Sequence, residues 1–252
     1  MNYFDHYEAA SWYANGRPYF HPLVMDRARR FLGLDSRLPE ALDVACGTGQ
    51  SALALKELAK HVTAADASRR MLSQAPEDPR IRYVESPAES FPFGDESFDL
   101  ATVALALHWL DRERFLQEIR RVLLPSGWLV VYDNAFTGRM KGKPEFERWY
   151  REEWLLYPSP ARDRTPITRE QARKHGLRLA GREEYSSESA FTIEELSDYL
   201  MSQSNMISAV RDGKEQTGSL RERLAASLIS MFNAPRETFE FSGDIVYVQK
   251  AR

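Results

Sequence analysis

From Glu40 to Asp133 the chain alternates short, mostly apolar runs with stretches whose apolar positions recur at helical spacing. This is the pattern of repeated β–α–β units around a mostly parallel sheet. Strands are predicted at Ala41 to Ala45, His61 to Asp66, Ile81 to Glu85, Phe98 to Ala104 and Trp128 to Asp133, with helices near Ser51 to Leu58, Arg69 to Gln74 and Arg112 to Leu124. Pro125-Ser126-Gly127 breaks the last of these helices and delivers the chain to an apolar strand. The expected architecture is α/β: a doubly wound, mostly parallel seven-stranded sheet with a helical insertion or lid.

Beyond Asn134 the pattern changes. Pro144, Pro158, Pro160 and Pro166 confine helices to short pieces, so the charged, tryptophan-bearing stretch through Arg164 reads as an insertion. A strand-like run follows at Leu177 to Tyr185. Thr192 can then cap a helix running to Ser204, with Glu195 at the capping-box position. Leu220, Leu224, Leu228 and Phe232 share one helical face, and Asp244 to Lys250 alternates as a closing strand. Inserted helices in such a fold can lie over the open end of the sheet, where ligands bind.

Composition narrows the function. With 43% hydrophobic and 12% aromatic residues the chain can build a large core, and 28% charged residues with a mean hydropathy of −0.50 lead to the expectation of a soluble chain rather than a disordered or fibrous one. Lys+Arg 34 against Asp+Glu 37 leaves a formal charge of −3, which gives no basic excess to draw nucleic acid or anionic membranes. A small neutral or acidic partner is expected. Apolar runs such as Ala101 to Leu107 fall short of the ~20 residues that span a bilayer, and Met1-Asn2-Tyr3-Phe4-Asp5 is no signal peptide, so a cytoplasmic location is expected. The single cysteine, Cys46, can form neither an internal disulfide nor a multi-cysteine metal site, and no metal site is predicted.

The chemistry is concentrated in Ala41-Leu42-Asp43-Val44-Ala45-Cys46-Gly47-Thr48-Gly49, an apolar strand with one acid near its end that breaks into a glycine-rich turn before a helix. Side chains at Gly47 and Gly49 would keep a ligand from the backbone, and the helix that follows presents free N–H groups to a negative group. The next strand ends in Ala64-Ala65-Asp66, an acid placed to accept both hydroxyls of a ribose, so a nucleoside cofactor is implied. Gly47-Thr48-Gly49-Gln50-Ser51-Ala52 also satisfies the dinucleotide pattern G-x-G-x-x-G/A. Asp43 separates the two cofactors: a carboxylate beside the turn repels a pyrophosphate but attracts the ammonium of an amino acid, which S-adenosylmethionine carries.

With these pieces in order, Leu42 to Asp133 resembles a class I S-adenosylmethionine-dependent methyltransferase with a type 11 methyltransferase domain, of the group that includes ubiquinone/menaquinone and trans-aconitate methyltransferases. The resemblance extends to Val62-Thr63-Ala64-Ala65-Asp66-Ala67-Ser68 with Met71, Ala88-Glu89-Ser90-Phe91-Pro92-Phe93, Ser97-Phe98-Asp99-Leu100 and Arg121-Val122-Leu123-Leu124-Pro125-Ser126-Gly127. Ala106-Leu107-His108-Trp109 and Arg17-Pro18-Tyr19 resemble segments of the trans-aconitate-like subgroup. The resemblance implies a Rossmann-like methyltransferase fold. Residues 1–36 would form an N-terminal helical cap, 37–134 the S-adenosylmethionine-binding core, and 135–252 the insertion, lid and closing strands. It implies that Asp43 meets the cofactor's amino group, that Ala45, Gly47, Thr48 and Gly49 line its homocysteine part, and that Asp66 grips the ribose. Ala67 and Met71 would flank the adenine, Ala88 and Glu89 would contact its ring, Leu105 would begin the segment nearest the methyl, and Tyr13 and Arg17 would close over the carboxylate. Two departures are Ala45, where the family often has glycine, and Pro87, where an acid commonly receives the adenine amino group.

Bland roles stand beside these. Asp66 could cap the helix starting near Ser68, and Cys46 reads as a small packed side chain. His108, at the exit of the fourth strand, could serve as a general base on an acceptor hydroxyl or shape the pocket. Trp109, Trp149 and Trp154 could be core or lid, and Arg139, Lys141, Lys143 and Arg148 either attract a carboxylate or form a solvated face. The expected reaction is methyl transfer to a small-molecule oxygen acceptor, a carboxylate or hydroxyl, giving S-adenosylhomocysteine. The rivals are an NAD(P)-dependent oxidoreductase on a similar sheet and a non-enzymatic cofactor-binding protein.

Overall fold

The computed structural model describes residues 16–251, and packing divides them into two units. The larger comprises Tyr19–Asn134, Arg162–Glu184 and residues 243–251, and the smaller comprises residues 16–18, Ala135–Ala161 and Tyr185–Ser242. This differs from the expected division at 36 and 134. Helix α1 (His21–Leu32) belongs with the sheet because it buries Val24, Met25 and Ala28 there, and two later segments return to the same unit.

The larger unit contains all five strands predicted from the first half of the chain. They are β1 (Leu38–Val44), β2 (Ala59–Asp66), β3 (Ile81–Glu85), β4 (Phe98–Ala104) and β5 (Leu123–Tyr132). Their spatial order is β3-β2-β1-β4-β5, followed by β8 (Glu237–Lys250), and β7 (Leu177–Phe191) pairs with β8. The first five run parallel, while β8 is antiparallel to β5 through Trp128↔Gln249 to Tyr132↔Ile245. The sheet has eight strands in all, one more than expected.

Alternation across each strand decides which side chains share a face. Leu42, Val44, Ala101, Val103, Leu129 and Val131 form one apolar layer, against which helix α4 (Arg112–Val122) buries Phe115, Leu116, Ile119 and Val122. Asp43, Thr102 and Val130 lie side by side on the opposite face, where Phe31 of α1 stacks on Tyr247 of β8 at 3.7 Å. Helices on both faces make the sheet doubly wound. Helices α2 (Gln50–Leu55) and α3 (Arg69–Leu72) follow β1 and β2, and α6 (Arg169–Lys174) precedes β7.

One boundary departs from the sequence reading. Helix α4 stops at Val122, and Pro125-Ser126-Gly127 lies inside β5 rather than before it. Ser126 takes φ +65°, and the register against β4 shifts between Phe98 and Leu100. The breakers make a bulge, which lets the strand continue through them.

In the smaller unit, β6 (Ala135–Met140) pairs antiparallel with the first part of β8. Helix α5 (Pro144–Trp149), one of the short pieces expected of this stretch, begins at a proline and passes into one π turn, Tyr150–Trp154. Helix α7 (Ile193–Met201) starts in the capping box expected of Thr192 and Glu195 and is followed by α8 (Ser204–Arg211). Helix α9 (Thr217–Ile229) buries Leu220, Leu224 and Leu228. Phe232 lies past its end but packs on the same aromatic core, which includes Phe146, Trp149, Trp154, Phe191 and Phe239. Among the described residues no helix is long and apolar enough to cross a membrane.

Candidate functional site

Strand β1 lies between β2 and β4, and its connections leave the sheet in opposite senses, so a crevice opens at the carboxyl ends of β1 and β4. The sequence places its glycine turn there. Ala45 (φ +52°), Gly47 (φ +54°) and Gly49 (φ +80°) all take left-handed backbone, and Gly49 is the N-cap of α2. Ala45 is the costly one, since a Cβ in that region carries roughly 1–2 kcal/mol of strain. Leu105, at the end of the neighbouring β4, takes φ +56° and donates its N–H to the Tyr132 carbonyl at 2.9 Å. Two strained non-glycine residues therefore flank the crevice, a distribution common at ligand sites.

The glycines are also demanded by contact. A Cβ on Gly49 would lie 2.6 Å from the Tyr83 hydroxyl, and one on Gly47 would lie 3.1 Å from Met71 Cε. Thr48 is 4% exposed, and neither its hydroxyl nor that of Tyr83 has a hydrogen-bond partner among the described residues. Burial pushes the Tyr83 phenol up to about 12, so it stays a neutral donor.

Asp43 lies beneath the turn, 0% exposed. Its carboxylate accepts from Ser51 Oγ at 2.5 Å and Thr102 Oγ1 at 2.8 Å. Burial pushes its pKa up to about 7; the two hydroxyls oppose the rise and the Asp66 charge adds to it. Asp66 does two jobs: Oδ2 accepts from Gly47 N and Oδ1 from Ser68 N, both at 2.8 Å, while Ser68 itself caps α3 through Met71 N. Asp66 thus ties the end of β2 to the glycine turn. Cys46 is buried, and burial first, then Asp43 and Asp66, push its thiol up, leaving it unreactive.

The other expected residues are distributed as follows. Ala67 is exposed beside Asp66, and Met71 and Ala88 are buried. Glu89 accepts from Asp111 N at 2.9 Å and borders a hollow of about 440 Å³ shared with Pro87, Arg114 and Glu118. His108 is half-buried on a 3-10 turn, Leu107–Trp109, which Ala106 separates from Leu105; its ring lies 5.4 Å from that of Trp109. Trp109 carries the Arg162 guanidinium 3.1 Å above its ring. Arg17 belongs to the smaller unit, where it donates to the Ser202 carbonyl at 3.2 Å and stacks 5.1 Å from the Tyr199 ring. Tyr13 lies outside the described residues. Of the basic cluster, Arg139 faces Glu147 and Glu240, Lys141 faces Glu188 and Lys143 faces Glu145, an ion-paired surface. Trp149 and Trp154 are core. Among the described residues no three His, Cys, Asp or Glu side chains gather to hold a metal ion.

The sequence reading missed Ser51, Thr102 and Tyr83. Thr102 left a signal, as the one hydroxyl in the apolar run Ala101 to Leu107. Tyr83 left none, because its approach to Gly49 depends on the order of β3 and β1 about β2.

Comparison with known proteins assigns the architecture. The family profile described as a methyltransferase domain matches residues 42–131, the span from β1 through β5. Demethylmenaquinone methyltransferase of Clavibacter sepedonicus is 39% identical over 95 residues, which cover 36% of this chain and 39% of that protein. The 2-phytyl-1,4-naphtoquinone methyltransferase of Trichormus variabilis is 32% identical over 154 residues, 52% of this chain and 67% of its own length. The chain belongs to the class I S-adenosylmethionine-dependent methyltransferases. The matches span no more than half the length of the demethylmenaquinone methyltransferases. The structure of a protein proposed to be a type II methyltransferase, from Anaeromyxobacter dehalogenans, shares the fold of this methyltransferase-family chain with a TM-score of 0.67 at 24% identity, over 90% of this chain and 95% of that one.

The residues present fit the family's cofactor, S-adenosylmethionine. The turn leaves two buried hydroxyls unpartnered, its glycines keep the backbone clear of side chains, and a buried carboxylate beneath it favours a positive group nearby.

Proposed function

We propose that this chain transfers the methyl group of S-adenosylmethionine to a small acceptor bearing an oxygen, a carboxylate or a hydroxylated ring of the quinol type. The single observation that carries the reading is the glycine turn over a buried carboxylate at the switch point of the sheet. A pyrophosphate beside Asp43 would face a repulsive charge in a poorly screened place, whereas the ammonium of an amino-acid tail is drawn to it. This favours a methyl donor over a nicotinamide dinucleotide.

The bound cofactor supplies an activated sulfonium methyl whose leaving thioether is neutral, so positioning rather than acid–base work carries most of the rate. Asp66 holds the ribose diol, Gly47, Thr48 and Gly49 line the homocysteine part, and Asp43 acts on the ammonium through its charge from below. Ala67, Met71, Ala88 and Glu89 surround the adenine. Leu105 borders the methyl, and His108 takes the proton of a hydroxyl acceptor or orients it. The quinone methyltransferases among the relatives favour a flat, hydroxylated ring as acceptor, and a net charge of −3 disfavours nucleic acid.

Calorimetric titration with S-adenosylhomocysteine and with NAD, followed by incubation with methyl-labelled S-adenosylmethionine and 1,4-naphthoquinol, tests the reading. Binding of the first ligand only, with label passing to the naphthoquinol, is expected. Tight NAD binding and no S-adenosylhomocysteine binding would contradict it.

A further inference from the structure

A second buried polar pair lies at the carboxyl end of the same sheet. His21, the first residue of α1, is 5% exposed, and its Nδ1 lies 2.9 Å from the hydroxyl of Tyr132, the last residue of β5. Its ring is stacked on Phe20 at 4.4 Å, which fixes its plane. Tyr132 is the register partner of Ala104, and its carbonyl receives the N–H of strained Leu105. Val44 pairs with Val103, so Ala104 falls next to Ala45 where the glycine turn begins. From the turn toward Tyr132, therefore, the row at the carboxyl ends of the strands runs through Ala104, whose side chain is a single methyl group. His21, held at the Tyr132 hydroxyl, lies at the β5 end of that row, and the glycine turn lies at its β1 end.

The imidazole is neutral in this setting, since burial pushes its pKa down to about 3. A neutral ring has one donor and one acceptor nitrogen. A phenol is a better donor than an imidazole N–H, so the 2.9 Å contact favours Tyr132 as donor to Nδ1, and that tautomer carries its proton on Nε2. We propose that His21 is a specificity-determining residue for the methyl acceptor: its Nε2–H donates to an oxygen of that acceptor, and Tyr132 positions the ring by holding Nδ1. The assignment rests on the methyltransferase reading above and deepens it. It names the acceptor as a molecule with an oxygen that accepts a hydrogen bond at this end of the crevice, away from the atom that receives the methyl group.

The test uses the full-length protein, S-adenosylmethionine and 1,4-naphthoquinol, with S-adenosylhomocysteine calorimetry as the check that each variant folds and binds cofactor. His21→Phe keeps a flat ring and removes the donor, and it should lower kcat/KM for naphthoquinol about 2- to 10-fold, the loss of a hydrogen bond to a neutral oxygen, with S-adenosylhomocysteine affinity unchanged. His21→Gln carries an amide donor where Nε2 stood and should recover most of the loss, whereas His21→Asn carries it where Nδ1 stood and should not. Tyr132→Phe should fall between wild type and His21→Phe. Wild-type kcat/KM in His21→Phe, or no rescue by His21→Gln, would overturn the assignment while leaving the methyltransferase reading intact. A wild-type protein that binds S-adenosylhomocysteine but does not methylate naphthoquinol would overturn the acceptor class and this assignment with it. Failure to bind S-adenosylhomocysteine at all would remove the reading on which both stand.

Discussion

Asp43 determines much of how the site responds to substitution and to pH. Removing its carboxylate leaves Ser51 Oγ and Thr102 Oγ1 buried without their partner, so Asp43→Ala should cost about 2–4 kcal/mol in urea unfolding, from two unsatisfied hydroxyls. Asp43→Asn preserves the shape and should remain folded while weakening S-adenosylhomocysteine binding. The raised pKa, about 7 against an ordinary 3.8, means that the folded state holds a proton the unfolded chain releases. Its stabilising contribution is complete below pH ~4 and declines as pH rises to about 7. A bound ammonium favours the ionised carboxylate, so S-adenosylhomocysteine affinity should rise with pH through about 7 with release of a proton, which calorimetry in buffers of different ionisation enthalpy will measure. Ala45 gives a second residue-scale prediction. Its φ of +52° makes Ala45→Gly stabilising by about 0.5–1 kcal/mol, the strain relieved less the added freedom of the unfolded chain, as read in the urea midpoint.

At the level of elements, the turn between β1 and α2 depends on β3. Gly49→Ala forces a side chain into left-handed backbone and against the Tyr83 hydroxyl, so it should cost about 2 kcal/mol or more in thermal unfolding and abolish cofactor binding. Adding Tyr83→Phe should return part of the stability. This dependence also marks what was legible in the sequence. The five strands of the first half were readable because short, mostly apolar runs alternate there with helical spacing, and the capping box at Thr192 was readable because both of its members lie within four residues. The start of β5 was not readable, because Pro125-Ser126-Gly127 breaks a helix and builds a bulge equally well, and only pairing with β4 decides between them. Gly47, Gly49 and Asp66 announced the site by motif, whereas Ser51, Thr102 and Tyr83 enter it through contacts that the pairing of separate strands creates.

For the whole molecule, two buried titratable groups act on stability in opposite senses. His21, pushed down to about 3 from an ordinary 6.5, is neutral in the fold while the unfolded chain takes up a proton, so its contribution is present above pH ~6.5 and is lost as pH falls toward 3. Asp43 loses its contribution over pH ~4 to 7 in the other direction. The urea midpoint should therefore change little between pH 4 and 6.5 in the wild type, tilt upward with pH in Asp43→Asn, and tilt downward with pH in His21→Phe. The central claim, that the crevice at β1 and β4 is built for a zwitterionic amino-acid tail joined to a ribose, is tested most directly by thermal unfolding with saturating S-adenosylhomocysteine or NAD. A ligand at about 100 times its Kd adds about 2.7 kcal/mol to the folded state, which for a chain of this size raises Tm by roughly 5–10 °C. That rise with S-adenosylhomocysteine and none with NAD is the predicted result; a rise with NAD alone, or with neither, would contradict the account.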